Sequence, residues 1–272
     1  MKTRTIVGIT AIPLFILLIF FAPLWAFSIA VGLISGGAAW ELLRCVDPKM
    51  PVRFRVFASV IALAIPIVYA FVRKGEVMST AVYILALYIF TELLLSFRTE
   101  EHVKFETLLQ VLFAGSIMPI LLTSLVRIGV RDNSSVYLLL PLVAAFSSDS
   151  GAYFAGSFHG KRKIFPHLSP NKSLEGCIGG LITAIVMMIL YGFVLTLFKY
   201  EINFLYLAVY GLFGSAACQF GDLAFSAIKR EYGIKDYGKL IPGHGGMLDR
   251  FDSMHFTAPM IELLVLLIPA IS

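Results

Sequence analysis

Apolar runs of about twenty residues, repeated along almost the whole chain, limit what this sequence can fold into more than any other feature. In hydrocarbon, backbone N–H and C=O groups find no water, so a run of roughly that length crosses a bilayer as a helix that pairs them internally. Nine candidate spans follow: 6–21, 25–43, 54–71, 77–97, 108–126, 136–158, 174–198, 202–228 and 256–271. The first break rests on Pro23, and the others on charged or Gly/Pro-containing loops. Composition agrees, with 58% of 272 residues hydrophobic and 14% charged and a mean hydropathy of +0.87. An ordinary soluble domain is excluded. The fold expected is all-α: a polytopic integral membrane protein of about nine transmembrane helices. It divides into N-terminal helices (1–75), middle helices (76–132, a candidate dimer contact) and a catalytic region with cytoplasmic loops (133–272).

Nine spans put the two ends on opposite sides, which makes orientation testable by charge. Seventeen Lys and Arg residues fall at the N-terminus and in the second, fourth, sixth and eighth loops, against five on the other side. The positive-inside rule then places the N-terminus and the sixth and eighth loops in the cytoplasm, and the site in a multi-pass inner (cytoplasmic) membrane protein. The net charge of +5 reflects this bias and argues for membrane topology, not for a nucleic-acid partner. The opening Met-Lys-Thr-Arg and its apolar run resemble a signal sequence, but a small-residue cleavage site is lacking, so the segment reads as a retained first helix. Cys45, Cys177 and Cys218 form no C-x-x-C pair, and reduced thiols within spans are expected.

The first half is chemically bland. Glu41 stands three residues before Arg44 and reads as a local ion pair. Glu92 and Glu262 lie within apolar runs, where a carboxylate is a functional candidate or a helix-packing device. From about residue 146 polarity rises. In S-S-D-S-G-A-Y-F-A-G, Asp149, Tyr153 and Gly156 fall on one small, polar helix face, which suits either a water-accessible pocket or a bond to a neighbouring helix. The sixth loop reads K-R-K-I-F-P-H-L-S-P-N-K-S-L-E-G. Asn171 or Ser173 can cap the next helix with Glu175 in its first turn, and Lys172 beside that N-terminus suits an anion, although an ordinary capped loop reads the same way. In G-D-L-A-F-S-A-I-K-R, Asp222, Ser226, Lys229 and Arg230 share one face.

The eighth loop continues with Lys235 and Asp236, then Pro242, Gly243, His244, Gly245 and Gly246, then Asp249, Arg250, Phe251 and Asp252. Glycines around a histidine let backbone N–H groups turn towards an anion, or simply make a flexible turn. Hard carboxylate oxygens beside ammonium and guanidinium groups point to metal-assisted handling of phosphates at a membrane surface, with Mg²⁺ as the metal of choice. No G-x-x-x-x-G-K-[ST] or strand-borne G-x-G-x-x-G is present, so a soluble-type nucleotide fold is excluded.

S-A-I-K-R (226–230), Lys235-Asp236, P-G-H-G-G (242–246) and D-R-F-D (249–252) resemble the pattern of the phosphatidate cytidylyltransferases, or CDP-diacylglycerol synthases. S-D-S-G-A-Y (148–153) and S-P-N-K-S-L-E-G (169–176) are similar to that family's upstream motifs. The resemblance implies an integral membrane transferase of phospholipid biosynthesis that joins CTP to phosphatidic acid, giving CDP-diacylglycerol and pyrophosphate. It also implies a homodimer and a paired-metal site with Mg²⁺ and a second ion. Carried over by motif, Asp222, Asp249 and Asp252 are the metal ligands, with Asp149 close by. Lys172, Lys229, Arg230, Lys235, His244 and Arg250 contact phosphates or close the site, joined by Ser169, Ser173, Ser226, Asp236, Gly245 and Gly246. One departure stands out: Phe225 replaces a glutamate that many members carry. Two other readings fit the polar residues: a CTP-dependent lipid kinase, and an ion-coupled transporter using Asp149, Asp222 and Glu262.

Overall fold

The protein is described by a computed structural model over residues 16–98, 102–238 and 245–271. Residues 16–21 are helical, so the end of the first expected span is seen, while its start lies outside the described residues. The helices that follow are α1 (Leu24–Val46), α2 (Val52–Val72), α3 (Glu76–Ser96), α4 (Phe105–Gly129), α5 (Ser134–His159), α6 (Leu174–Leu197) and α7 (Phe204–Glu231). A short α8 (Leu248–Phe251) and α9 (Met254–Leu267) complete the order. Helices α1 to α7 are each long and apolar enough to cross a membrane, seven among the described residues. They match the second to eighth expected spans within three residues at either end.

The ninth run behaves differently. It yields only the 14-residue α9, which at 1.5 Å per residue is about 21 Å long, short of a hydrocarbon core of about 30 Å. Beyond Leu267 the chain stops being helical, and its carbonyls are taken by other groups. Asn203 N–H donates to Ala270 at 2.9 Å, the Tyr210 hydroxyl to Ile268 at 2.8 Å and the Tyr137 hydroxyl to Ile271 at 2.6 Å.

The chain packs as two compact units, residues 1–131 with 234–251, and 132–233 with 252–272. In the first, Gly32 and Gly36 of α1 lie against the backbone carbonyls of Leu63 and Ser59 in α2, an approach that a side chain would block. α4 is interrupted by a π turn at Phe113–Ile117, next to Pro119, whose missing N–H leaves the i−4 ladder open there. Glu92 of α3 is not isolated: Arg53 of α2 reaches it at 2.9 Å, which gives the intramembrane carboxylate a counter-charge. In the second unit α5 and α6 are closely apposed, and α7 packs on α6, α5 and α9. Gly214 of α7 sits against Ala144 and Ile261, drawing α5 and α9 to the same helix, and Glu262 is buried in α9.

Candidate active site

The 132–233 and 252–272 unit gathers most of the charged residues expected of the site. Lys172, in the loop before α6, forms a 2.6 Å ion pair with Asp222 of α7. Its ammonium also donates to the Gln219 carbonyl at 3.4 Å, one turn earlier. Lys229, two turns after Asp222, faces Asp252 at 3.7 Å, and both side chains are only 11% exposed. Gly221 makes this possible, because a Cβ there would meet the Asp252 carbonyl and Ser253 at about 3 Å; α7 therefore runs directly against the start of α9. Arg230 turns the other way and donates to the Leu168 carbonyl at 3.2 Å, which ties α7 to the sixth loop beside Ser169. Ser226 is half-buried between these groups on α7.

Asp149 lies on α5 with Cys218 Sγ of α7 at 3.5 Å from its Oδ1, and it feels the charges of Asp222 and Lys172. The polar face expected around it divides. Asp149 and Tyr153 are exposed, whereas Gly156 packs against Ser173 and Gly176 at the start of α6. Of the two candidate caps for α6, Ser173 is the one used: its hydroxyl accepts the Gly176 N–H at 3.2 Å. Glu175 accepts the backbone N–H groups of Lys161 and Arg162, so the loop is folded back onto the helix start. Ser173 is buried and engaged in capping.

Electrostatically, this cluster holds more negative charge than its lysines balance comfortably. Burial pushes the Asp252 carboxyl up to about 7, repulsion from Asp222 and more weakly Asp149 adds to this, and Lys229 opposes it. Among the described residues no three His, Cys, Asp or Glu side chains converge as a closed metal cage. Mg²⁺ does not need one, since it binds through one or two carboxylates, waters and substrate phosphates. Asp222 and Asp252 supply that donor chemistry, and a divalent cation would relieve the charge that keeps Asp252 partly protonated. The residues present fit the ion.

Lys235, Asp236, Gly245, Gly246, Asp249 and Arg250 belong to the other unit, and His244 lies outside the described residues, with 239–243. Lys235, Asp236 and Arg250 are exposed. Asp249 is occupied by backbone: its Oδ2 accepts the Tyr237 N–H at 2.8 Å and the Gly246 N–H at 2.9 Å. Gly245 has φ +86°, in the left-handed region that favours glycine. Glu41 is the surprise of this unit. It does not pair with Arg44 as its spacing suggests, but points inward and accepts the Leu248 N–H at 2.9 Å.

Two further residues, Ser215 and Gln219, escaped the motif reading. Gln219 donates to the Cys177 carbonyl at 3.0 Å and the Ser215 hydroxyl at 3.3 Å, and Ser215 bonds Ser148 at 2.7 Å. Their signal was present: Ser215, Gln219 and Asp222 recur at i, i+4 and i+7, a polar stripe in an apolar span. Phe225, where a glutamate was expected, is 2% exposed and packs its ring 5.2 Å from that of His255; this position contributes packing, not charge.

Comparison with known proteins is consistent along the whole chain. Residues 2–268 match the Cytidylyltransferase family. A phosphatidate cytidylyltransferase of Bacillus subtilis is 35% identical over 276 residues, covering 98% of each chain. One from Staphylococcus haemolyticus is 32% identical over 268 residues, covering 98% of this chain and 99% of its own. A third, from Staphylococcus saprophyticus, is 40% identical over 140 residues, about half of each chain.

Proposed function

The chain belongs to the Cytidylyltransferase family, and from that premise we propose that it is a phosphatidate cytidylyltransferase of a bacterial membrane. It transfers the cytidylyl group of CTP to phosphatidic acid, forming CDP-diacylglycerol and pyrophosphate. The observation that carries this reading is the pair of lysine–aspartate contacts, Lys172–Asp222 and Lys229–Asp252, on a chain similar over 98% of its length to a protein of that name.

In the reaction an oxygen of the lipid phosphate attacks the α-phosphorus of CTP, and the bond from that phosphorus to the pyrophosphate oxygen breaks. No protein nucleophile is required, so the protein positions the two substrates and screens their charge. Lys172 and Lys229 each have an aspartate to exchange for phosphoryl oxygens. Arg230 is already anchored beside Leu168 at the loop edge, where its guanidinium charge suits a second phosphate. Asp222 and Asp252 are the ligands assigned to Mg²⁺, with Asp249 and a second ion carried from the family pattern; when bound, such an ion screens the nucleotide oxygens and the departing pyrophosphate. Asp149 lies close to the metal site, Lys235, His244 and Arg250 are assigned to nucleotide phosphates or to closing the site, and Asp236, Gly245 and Gly246 are assigned to substrate binding. The excess of Lys and Arg on one side supports a cytoplasm-facing site, where CTP is found, and the protein is assigned as a homodimer.

The test is purified protein with labelled CTP, phosphatidic acid and Mg²⁺. A labelled CDP-lipid that disappears on chelation is expected. Labelled pyrophosphate without CDP-lipid, or phosphate transfer to a lipid, would sink the assignment.

A further inference from the structure

Glu41 is a buried carboxylate that stands outside the charged cluster. It lies on α1, is 8% exposed, and the other buried residues of that helix are apolar or small. A carboxylate taken out of water is costly unless it is well bonded. Its Oε2 takes the Leu248 N–H at the first residue of α8, 207 positions along the chain.

Two glycines are fitted around this side chain. A Cβ on Gly238 would come within 2.7 Å of the Glu41 carboxyl carbon, and one on Gly246 within 2.6 Å, both closer than such atoms approach. The same helix holds the neighbouring strand of chain one turn later, where Cys45 Sγ donates to the Tyr237 carbonyl at 2.8 Å. Asp249 then closes the arrangement by accepting the N–H groups of Tyr237 and Gly246. Asp249 thereby bonds residues 237 and 246 to one carboxylate, while Glu41 bonds residue 248 and fills the space between Gly238 and Gly246.

We infer that Glu41 is a positioning residue: wedged between Gly238 and Gly246 and bonded to the Leu248 N–H, it fixes how Asp249 and Arg250 are presented for turnover. What is presented rests on the proposed cytidylyl transfer; the clasp does not. Neither residue is reached by Glu41 directly, so its influence passes through the backbone at 246–248.

Hydrogen exchange and steady-state kinetics of the detergent-solubilised full chain test this together. In Glu41→Ala, amides of 246–249 exchange faster while those of 134–231 do not, and kcat/KM for CTP falls roughly 100-fold, the scale of a small misplacement of catalytic groups. The KM for phosphatidic acid stays the same. Glu41→Gln keeps the shape and one acceptor oxygen and recovers activity to within about tenfold of wild type. Gly246→Ala alone is as damaging as Glu41→Ala, but adds little to it, because the clash is with a side chain no longer there. Unchanged exchange, CTP kinetics within about twofold of wild type for Glu41→Ala, or additive losses would each overturn the inference. Should Glu41→Ala fail to fold, Glu41→Gln and Gly246→Ala carry the same readouts. A wild-type protein that forms no CDP-lipid would remove the proposed function, with exchange at 246–249 still deciding the clasp.

Discussion

Two pairs of buried or half-buried carboxylates, one pair in each unit, are held in opposite ways. In the 132–233 and 252–272 unit, Asp222 and Asp252 face lysine ammonium groups; in the 1–131 and 234–251 unit, Glu41 and Asp249 face backbone N–H groups. An ammonium on a four-carbon stem swings away when a phosphate offers a better partner, whereas a backbone N–H moves only if the chain moves. Aspartates of the first kind are therefore free to change partners during a reaction, and carboxylates of the second kind hold geometry.

The sharpest way to break this comparison is Asp222→Asn. It removes a charge that Lys172 balances and, on the proposed function, a metal donor, and turnover is expected to fall by roughly 1000-fold, on the scale of losing one electrostatic stabiliser. Helical content and melting behaviour should be retained, and CDP-lipid formation measures the loss. Activity within tenfold of wild type would place Asp222 outside the chemistry.

Asp249→Asn comes next, with an expected loss of roughly 100-fold. If Asp249 holds backbone, the amides of Tyr237 and Gly246 exchange faster in the variant. A loss of turnover with no change in exchange would move Asp249 to the class of Asp222 and make its metal contact the dominant role.

Asp252 offers a sign-sensitive test. Its folded-state carboxyl is raised to about 7, above the unfolded range, so the folded protein binds the extra proton more tightly than the unfolded chain. That contribution is complete below about pH 4 and lost as pH climbs through 7. In chelator, wild-type stability should therefore decline between pH 5 and 8 by on the order of 2 kcal/mol, and Asp252→Asn should flatten the slope. Thermal melts across that range decide it; added Mg²⁺ should restore wild type at high pH and leave the variant unmoved.

The smallest effect is expected at Arg53–Glu92, a pair in which Arg53 is 60% exposed. Arg53→Met should leave turnover unaltered and lower stability only, because Glu92 loses its counter-charge within the span. A large loss of activity there would show that a lysine- or arginine-paired carboxylate outside the cluster also matters.

Much of the molecule was legible in residue order. Seven apolar runs became seven helices, because a segment of that length in hydrocarbon has few other ways to satisfy its backbone. The concentration of charge between residues 146 and 252 pointed to the half proposed to hold the site, and the face shared by Asp222 and Lys229 could be drawn from helical spacing alone. The short α9 could not, since the carbonyls at 268–271 are taken by Tyr137, Tyr210 and Asn203, residues far away in sequence. Nor could Glu41, whose nearest charged neighbour by spacing, Arg44, suggested a surface pair.

Sequence by itself determined the class of molecule and the position of its spans, and it marked the stretch proposed to carry chemistry, because hydropathy and helical periodicity are sums over neighbouring residues. Tertiary structure decided which lysine meets which aspartate, that Ser173 and not Asn171 caps α6, and that a glutamate on α1 grips a loop two hundred residues on. Those choices depend on which helices touch. A charge in a low-dielectric interior takes the partner that packing brings within about 3 Å, whatever its distance along the chain.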